Sequence, residues 1–164
     1  MAADRKSSGI KGDKAPSSLG FLLSQVGIYA SRRFAQRIAA LDLHPGLFRI
    51  LNVVEATEGQ SQQAIGDAIE VPASRMVALV DELEERGLVE RRPDPDDRRV
   101  RVLHLTAKGR RLLEQGRKIA AEHEADLTKG MKPGDRERLM ALLSKLAASQ
   151  GIGSGVHPGL SDPG

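Results

Sequence analysis

Cysteine is absent from this chain, and so is tryptophan. Without thiols there is no disulfide framework, no thiolate metal site and no thiol-based redox sensing. Aromatic residues make up only 2% of the sequence, with a single Tyr29 beside Phe21, Phe34 and Phe48. Leu, Ile, Val and Ala must therefore build the core, which favours helices packed on helices. No run of about twenty apolar residues occurs, and the opening MAADRKSSGIKGDK lacks the apolar stretch of a secretory signal. The expectation is a cytosolic protein with no membrane partner. Catalytic signatures are missing too: there is no nucleophile elbow, no Gly-rich phosphate loop and no paired carboxylate placed for a cleft. An enzyme is not expected, nor any cofactor. His44, His104, His123 and His157 are scattered, and the neighbours Glu122, His123 and Glu124 point apart on a helix, so no metal site is expected.

What is present suits one ordinary domain: 164 residues, 40% of them hydrophobic, are enough for a core without staples. The net charge of +3 is mildly basic, and its distribution says more than its size. Acids sit on helical faces, as Glu82, Glu84, Glu85, Glu122 and Glu124. Arginine is concentrated at Arg86, Arg91, Arg92, Arg98, Arg99 and Arg101.

The stretch from Ser61 to Arg101 reads as two helices followed by a hairpin. Ser61 can cap a short helix that buries Ala64, Ile65, Ala68 and Ile69. Val71-Pro72 breaks it, because a residue before proline is pushed out of the helical region, whereas proline suits the opening turn of a new helix. That second helix runs from about Pro72 to Arg86. Met76, Leu79, Val80 and Leu83 form its inner stripe, and Ser74, Arg75, Ala78 and Glu82 its outer one. Gly87 stops it. Leu88 to Arg92 is strand-like, Pro93-Asp94-Pro95-Asp96-Asp97 is a turn, and Arg98 to Leu105 returns as a second strand carrying Val100, Val102, Leu103 and Leu105.

A short helix, a sharp turn, a helix with a small-residue and arginine outer face, and an arginine-bearing hairpin together suggest DNA binding. Such a helix enters the major groove by its N-terminal residues, and guanidinium groups at a hairpin tip suit the electronegative minor groove. The candidates in the groove are Pro72, Ala73, Ser74, Arg75 and Ala78. The small residues let the backbone approach, and Ser74 and Arg75 supply polar contacts. Ser61 and Gln62 could hold a phosphate with backbone N–H groups. The competing pictures are a solvated hairpin whose Asp-Arg pairs satisfy each other, and a winged-helix protein-interaction module without specific DNA binding.

On either side the pattern changes. Residues 1–16 are polar and read as a flexible arm. From Ser17 or Ser18, Leu19, Leu22, Leu23, Val26, Ala30, Phe34, Ile38 and Leu41 trace one stripe down a helix of about two dozen residues. His44-Pro45-Gly46 starts another, with Leu47, Ile50, Leu51 and Val54 inward and Glu58-Gly59 closing it. After the hairpin, Thr106 can cap a long helix bearing Leu112, Leu113, Ile119, Ala120, His123 and Leu127, which ends at Gly130. Pro133 opens a last helix with Leu139, Leu142, Leu143 and Leu146 inward. Terminal helices longer than the centre needs imply a dimer built on Leu19, Leu22, Leu23 and the last-helix leucines. The organisation expected is thus mainly α (α+β): a 1–16 arm, a 17–43 dimerisation helix, a 44–105 winged helix-turn-helix DNA-binding lobe, 106–149 dimerisation helices and a 150–164 flexible tail.

The run DELEERGLVERRPDPDDRRVRVLHLTAKG resembles the signature of the MarR family of winged-helix regulators. A leucine-glutamate helix end, Gly-Leu-Val, a basic strand, an Asp-Arg-Arg tip and a Leu-Thr-x-x-Gly exit follow in the family's order. The resemblance spans about Leu19 to Leu146. It implies a homodimer that sets two recognition helices about one DNA turn apart on a near-palindromic operator, acting as a repressor. In the tip, Asp97-Arg98-Arg99 is similar to the family motif in which an arginine enters the minor groove and the aspartate helps to orient it. Strand alternation would point Arg98 and Arg99 to opposite faces, with Arg98 slightly favoured. The resemblance also implies a small-molecule effector, such as an aromatic acid or phenol, in a crevice for which Tyr29, Arg33, Phe34, His44 and Phe48 are candidates. The plain alternative for those apolar residues is core packing.

Overall fold

A computed structural model describes residues 18–152; the expected arm at 1–16 and all but the first residues of the expected tail lie outside them. The elements are α1 (Leu19–Ile38), a 3-10 turn (Ala39–Leu41), α2 (Pro45–Ala56), α3 (Gln62–Ala68), α4 (Ala73–Glu85), β1 (Val89–Pro93), β2 (Arg101–Leu105), α5 (Ala107–Leu127) and α6 (Asp135–Ser149). The expected order of helices and hairpin is present, and the architecture is mainly α with a small antiparallel sheet.

The core gathers around α2. Leu47, Ile50, Leu51 and Val54 are each fully buried, together with Ile38, Ile65, Met76, Val80, Leu83, Leu88, Leu103 and Leu113. Fully burying an aliphatic side chain contributes about 1.5–3 kcal/mol. α2 packs against α1, α4, α5 and β2 at once. Its start is fixed by His44, whose Nδ1 accepts from the Gly46 and Leu47 N–H groups at 3.1 and 3.3 Å, with Pro45 behind it. Two glycines let α5 come close. A Cβ at Gly109 would run into the Leu88 carbonyl, and one at Gly116 would lie 2.5 Å from Phe48 Cε2.

Several boundaries and faces differ from expectation. α1 ends at Ile38 and tightens into the 3-10 turn, which Asp42 closes in a left-handed conformation at φ 54°. Ser18 stands at the N-cap of α1 but makes no side-chain cap bond. In α3, Ala64 and Ala68 are exposed and Gly66 is buried beside Ile65 and Ile69. The reason is the tight turn into α4: the Val71 N–H bonds the Gly66 carbonyl at 3.0 Å, and Gly66 lies against Met76. β2 begins at Arg101, not Arg98. The Asp94 carboxylate accepts from the Asp96 and Asp97 N–H groups at 2.7 and 3.2 Å, and the Asp94 N–H bonds the Val100 carbonyl at 3.0 Å. Residues 94–100 are thereby a closed loop with Val100 exposed. Helix α6 starts at Asp135 behind Gly134 at φ 84°, so Pro133 lies in the turn before it. Leu139, Leu142, Leu143 and Leu146 are not turned inward: α6 has no buried residue, and these leucines are 36–63% exposed.

One feature of the sheet was absent from the sequence reading. β2 is flanked on both sides, since the chain before α3 pairs with it through a Ser61–Val102 bridge and backbone bonds between Leu103 and Gly59 and Gln60 at 3.1 and 3.0 Å. β2 thus lies between β1, which is the edge, and the bridging segment 59–61. Gly109→Ala tests the close packing of α5. Overpacking costs about 1–3 kcal/mol against about 1 kcal/mol returned by helix propensity. The expected outcome is a lower urea midpoint with an unchanged slope. A higher midpoint would mean that the Leu88 backbone moves aside without cost.

Candidate nucleic-acid interface

Helix α3 is capped as expected: the Ser61 hydroxyl oxygen accepts from the Ala64 N–H at 3.1 Å. That bond uses the hydroxyl inside the helix. Gln62, the other phosphate candidate, has its Oε1 occupied by the Arg91 guanidinium, from Nε at 3.3 Å and from Nη2 at 3.0 Å. Pro72 is the N-cap residue of α4, and Leu79, Val80 and Leu83 seat the helix with Met76 against the core. That seating turns Pro72, Ala73, Ser74 and Ala78 to solvent. Arg75 is half-buried and engaged within the chain. Val77, missed in the sequence reading, joins this face with 44% exposure. Its spacing of three from Ser74 was the available signal.

At the hairpin tip, Arg98 and Arg99 lie in a turn, which replaces the expected strand alternation as the basis for telling them apart. Asp97 Oδ1 accepts from the Arg99 N–H at 3.0 Å and lies 3.3 Å from Arg99 Nε. Arg98 is exposed and makes no ion pair among the described residues. At the base, Glu58 Oε1 accepts from Arg110 Nη2 at 2.5 Å and lies 3.3 Å from His104 Nδ1. Partial burial pushes the Glu58 carboxyl up, but the hydrogen bonds from Arg110 and His104 outweigh it and hold its pKa below the usual value.

The five effector candidates are not brought to one place. Phe34 and Phe48 meet with ring centroids 5.7 Å apart, and His123 of α5 lies 5.6 Å from Phe34. Burial, and then the nearby Arg37 and Arg33, lower the His123 pKa. Tyr29 and Arg33 instead line an open groove along α1 with Gln25, Ile28, Arg32 and Gln36. His44 serves as the cap of α2, its Nε2 3.8 Å from Glu82. On α2, Arg49 carries Nη1 and Nη2 buried with no hydrogen-bond partner among the described residues, and burial lowers its pKa. Among those residues there is also no cluster of metal-binding side chains, and no helix is long and apolar enough to cross a membrane.

A capped helix, a tight turn, a second helix with a small outer face and an arginine-tipped hairpin define a winged helix-turn-helix protein. Comparisons with known proteins take the assignment further. A model of the MarR family matches residues 41–100. A transcriptional regulatory protein assigned to the hcr operon of Thauera aromatica is 35% identical over 129 residues, 78% of each chain. The transcriptional repressor CouR, solved bound to a 23-mer DNA duplex, is 33% identical with a TM-score of 0.71, covering 79% of this chain and 92% of its own. CouR from Rhodococcus jostii RHA1, solved with p-coumaroyl-CoA, is 30% identical with a TM-score of 0.67, covering 80% of this chain and 92% of its own. The chain belongs to the MarR family. It is a DNA-binding transcriptional regulator and not an enzyme.

The Glu58 cluster gives a pH-dependent outcome. A carboxyl whose folded pKa is depressed stabilises the fold above its unfolded value, and that contribution is lost as the pH falls through the folded value. Glu58→Gln should therefore lower the urea midpoint at neutral pH, and the gap to wild type should close as the buffer is taken to acid. A gap independent of pH would contradict this account.

Proposed function

We propose that the protein is a homodimeric repressor. Its two α4 helices read the major groove of a near-palindromic operator while the two hairpin tips reach the adjoining minor grooves. The observation that carries this reading is the division of labour at the tip: Asp97 engages Arg99, and Arg98 is left exposed and, among the described residues, without an ion pair. Arg98 is the arginine assigned to the minor groove. On α4, Ser74 and Arg75 supply polar contacts, Pro72, Ala73 and Ala78 allow close approach, and the methyls of Val77 suit a thymine methyl. The backbone N–H groups at Ser61 and Gln62, at the start of α3, are assigned to the phosphate backbone, since the Ser61 hydroxyl and Gln62 Oε1 are already engaged.

Dimerisation falls to α1, α5 and α6. Leu19, Leu22, Leu139, Leu142 and Leu143 are all exposed in the single chain, and Leu23 is half-buried. An apolar surface of that kind is rarely left in water. The lobes are then 17–43 and 106–149 for dimerisation and 44–105 for DNA, in a cytoplasmic protein. Release is assigned to an aromatic acid, a phenol or an aryl thioester, the last prompted by the p-coumaroyl-CoA carried by CouR. Phe34 and Phe48 supply aromatic walls, Tyr29 and Arg33 line the α1 groove, and a carboxylate from the effector or the second subunit would give Arg49 the acceptors it lacks among the described residues. His44 contributes only through the position of α2. The effector acts by favouring one spacing of the two α4 helices.

The test is binding of the purified protein to its own upstream DNA as a function of salt. Tight, sequence-selective and salt-steep binding is expected. Arg98→Ala should weaken it by about tenfold, and Arg75→Ala by about 1–3 kcal/mol with relaxed base preference. Weak binding of equal strength to every duplex would favour a winged-helix protein-interaction module instead.

A further inference from the structure

We infer that Arg91 is a positioning residue that holds the hairpin in register with α4. The inference rests on the proposed DNA reading of α4 and the tip. Arg91 pairs with Leu103 across the sheet, on the same face as the buried Val89 and Leu105. Its stem therefore runs along the core, and its head emerges beside the helices. There each nitrogen of the fork is engaged. Nη2 bonds Asp81 Oδ1 at 2.5 Å, Nη1 bonds Glu84, and Nε and Nη2 both reach Gln62 Oε1. The Arg91 backbone N–H also donates to Glu84 Oε1 at 3.3 Å. Asp81 and Glu84 are three residues apart on α4 and so share a face, turned here toward β1. One guanidinium thus joins β1, α3 and α4.

The neighbouring arginines do nothing comparable. Arg92 pairs with Glu90 on its own strand, and Arg99 with Asp97 in its own turn. The two strands also differ. β2 is held on its far side by backbone bonds to residues 59–61, whereas β1 is the edge strand, and an isolated two-stranded hairpin is marginal in water. Arg91 is what ties that edge to α4. Its leverage is geometric. A tilt of about 10° at the base of a hairpin about 15 Å long moves the tip by about 3 Å, which matters against a minor groove about 6 Å wide. The partially buried charge is itself stabilised here, since burial lowers the Arg91 pKa but Asp81 and Glu84 more than restore it. Lysine carries the same charge without the fork, so it cannot hold three acceptors in one plane.

The experiment is a double-mutant cycle in the full chain. The probe is a duplex selected by the wild-type protein from random sequence. Arg98→Ala and Arg75→Ala are each measured in wild type, in Arg91→Lys and in Asp81→Asn/Glu84→Gln, with thermal melts and sedimentation confirming folded protein of unchanged oligomeric state. The second background covers the case in which Arg91→Lys fails to fold. The expected result is that Arg98→Ala weakens binding about tenfold in wild type but less than about threefold in either background, while Arg75→Ala costs the same factor in all three. A residue acting only through overall stability would not silence the tip selectively. Should Arg98→Ala cost the same factor in every background, the inference is overturned and the DNA reading stands. Should it cost nothing in wild type, both fall.

Discussion

Helix α2 must be covered on several sides at once, because Leu47, Ile50, Leu51 and Val54 are all fully buried and no short helix hides such residues by itself. α4 and β2 cover it on one side, α1 and α5 on the other. The register of this packing depends on close approach. Gly109 meets the Leu88 backbone where the chain leaves β2, and Gly116 meets Phe48 further along α5. The His44 cap, the Thr106 cap and these two glycines together fix where α5 starts and how near it lies. The position of α4, and with it the surface proposed to face DNA, follows from that arrangement.

The same packing leaves α1 and α6 unfinished. Only the C-terminal end of α1 reaches the core, through Ile38, with Phe34 packed at its edge. Leu19, Phe21, Leu22, Val26 and the α6 leucines stay in solvent in the single chain. The proposed homodimer is the economical resolution, because the area left over is apolar and lies on the parts of α1 and α6 that the central lobe leaves uncovered. The aromatic pair Phe34–Phe48 and the buried His123 lie where α1, α2 and α5 meet.

Charge is spent unevenly. The sequence is only slightly basic, and many of its arginines are consumed internally: Arg37 by Asp126, Arg86 by Asp42 and Glu82, Arg91 by Asp81 and Glu84, Arg110 by Glu58, Arg117 by Glu55 and Arg136 by Glu124. Exposed pairs of this kind contribute little to stability individually. Their effect is to decide which cations remain available. Among the described residues Arg98 is one of those left over, exposed in the turn that closes the hairpin. Arg91 belongs to the other class, a charge used to hold geometry.

The sequence by itself determined the helices, and the inner stripes of α2 and α4, because a period of 3.6 is set by local geometry and burial reinforces it. Met76, Leu79, Val80 and Leu83 of α4 were legible for that reason, and the Ser61 and Thr106 caps and the Gly87 stop because each depends on only a few neighbouring residues. Local spacing cannot say what lies across a gap in sequence. The exposed alanines of α3, the left-handed start of α6 at Gly134 and the outward leucines Leu139 to Leu146 depended on which surfaces happened to be covered. Asp97 could be assigned to Arg99 only once the turn existed, and Arg91 could be separated from its neighbours only when Gln62, Asp81 and Glu84 stood around it. A periodic pattern reports one face of one element. Only the tertiary structure decides which elements meet that face, because burial and ion pairing depend on residues tens of positions away.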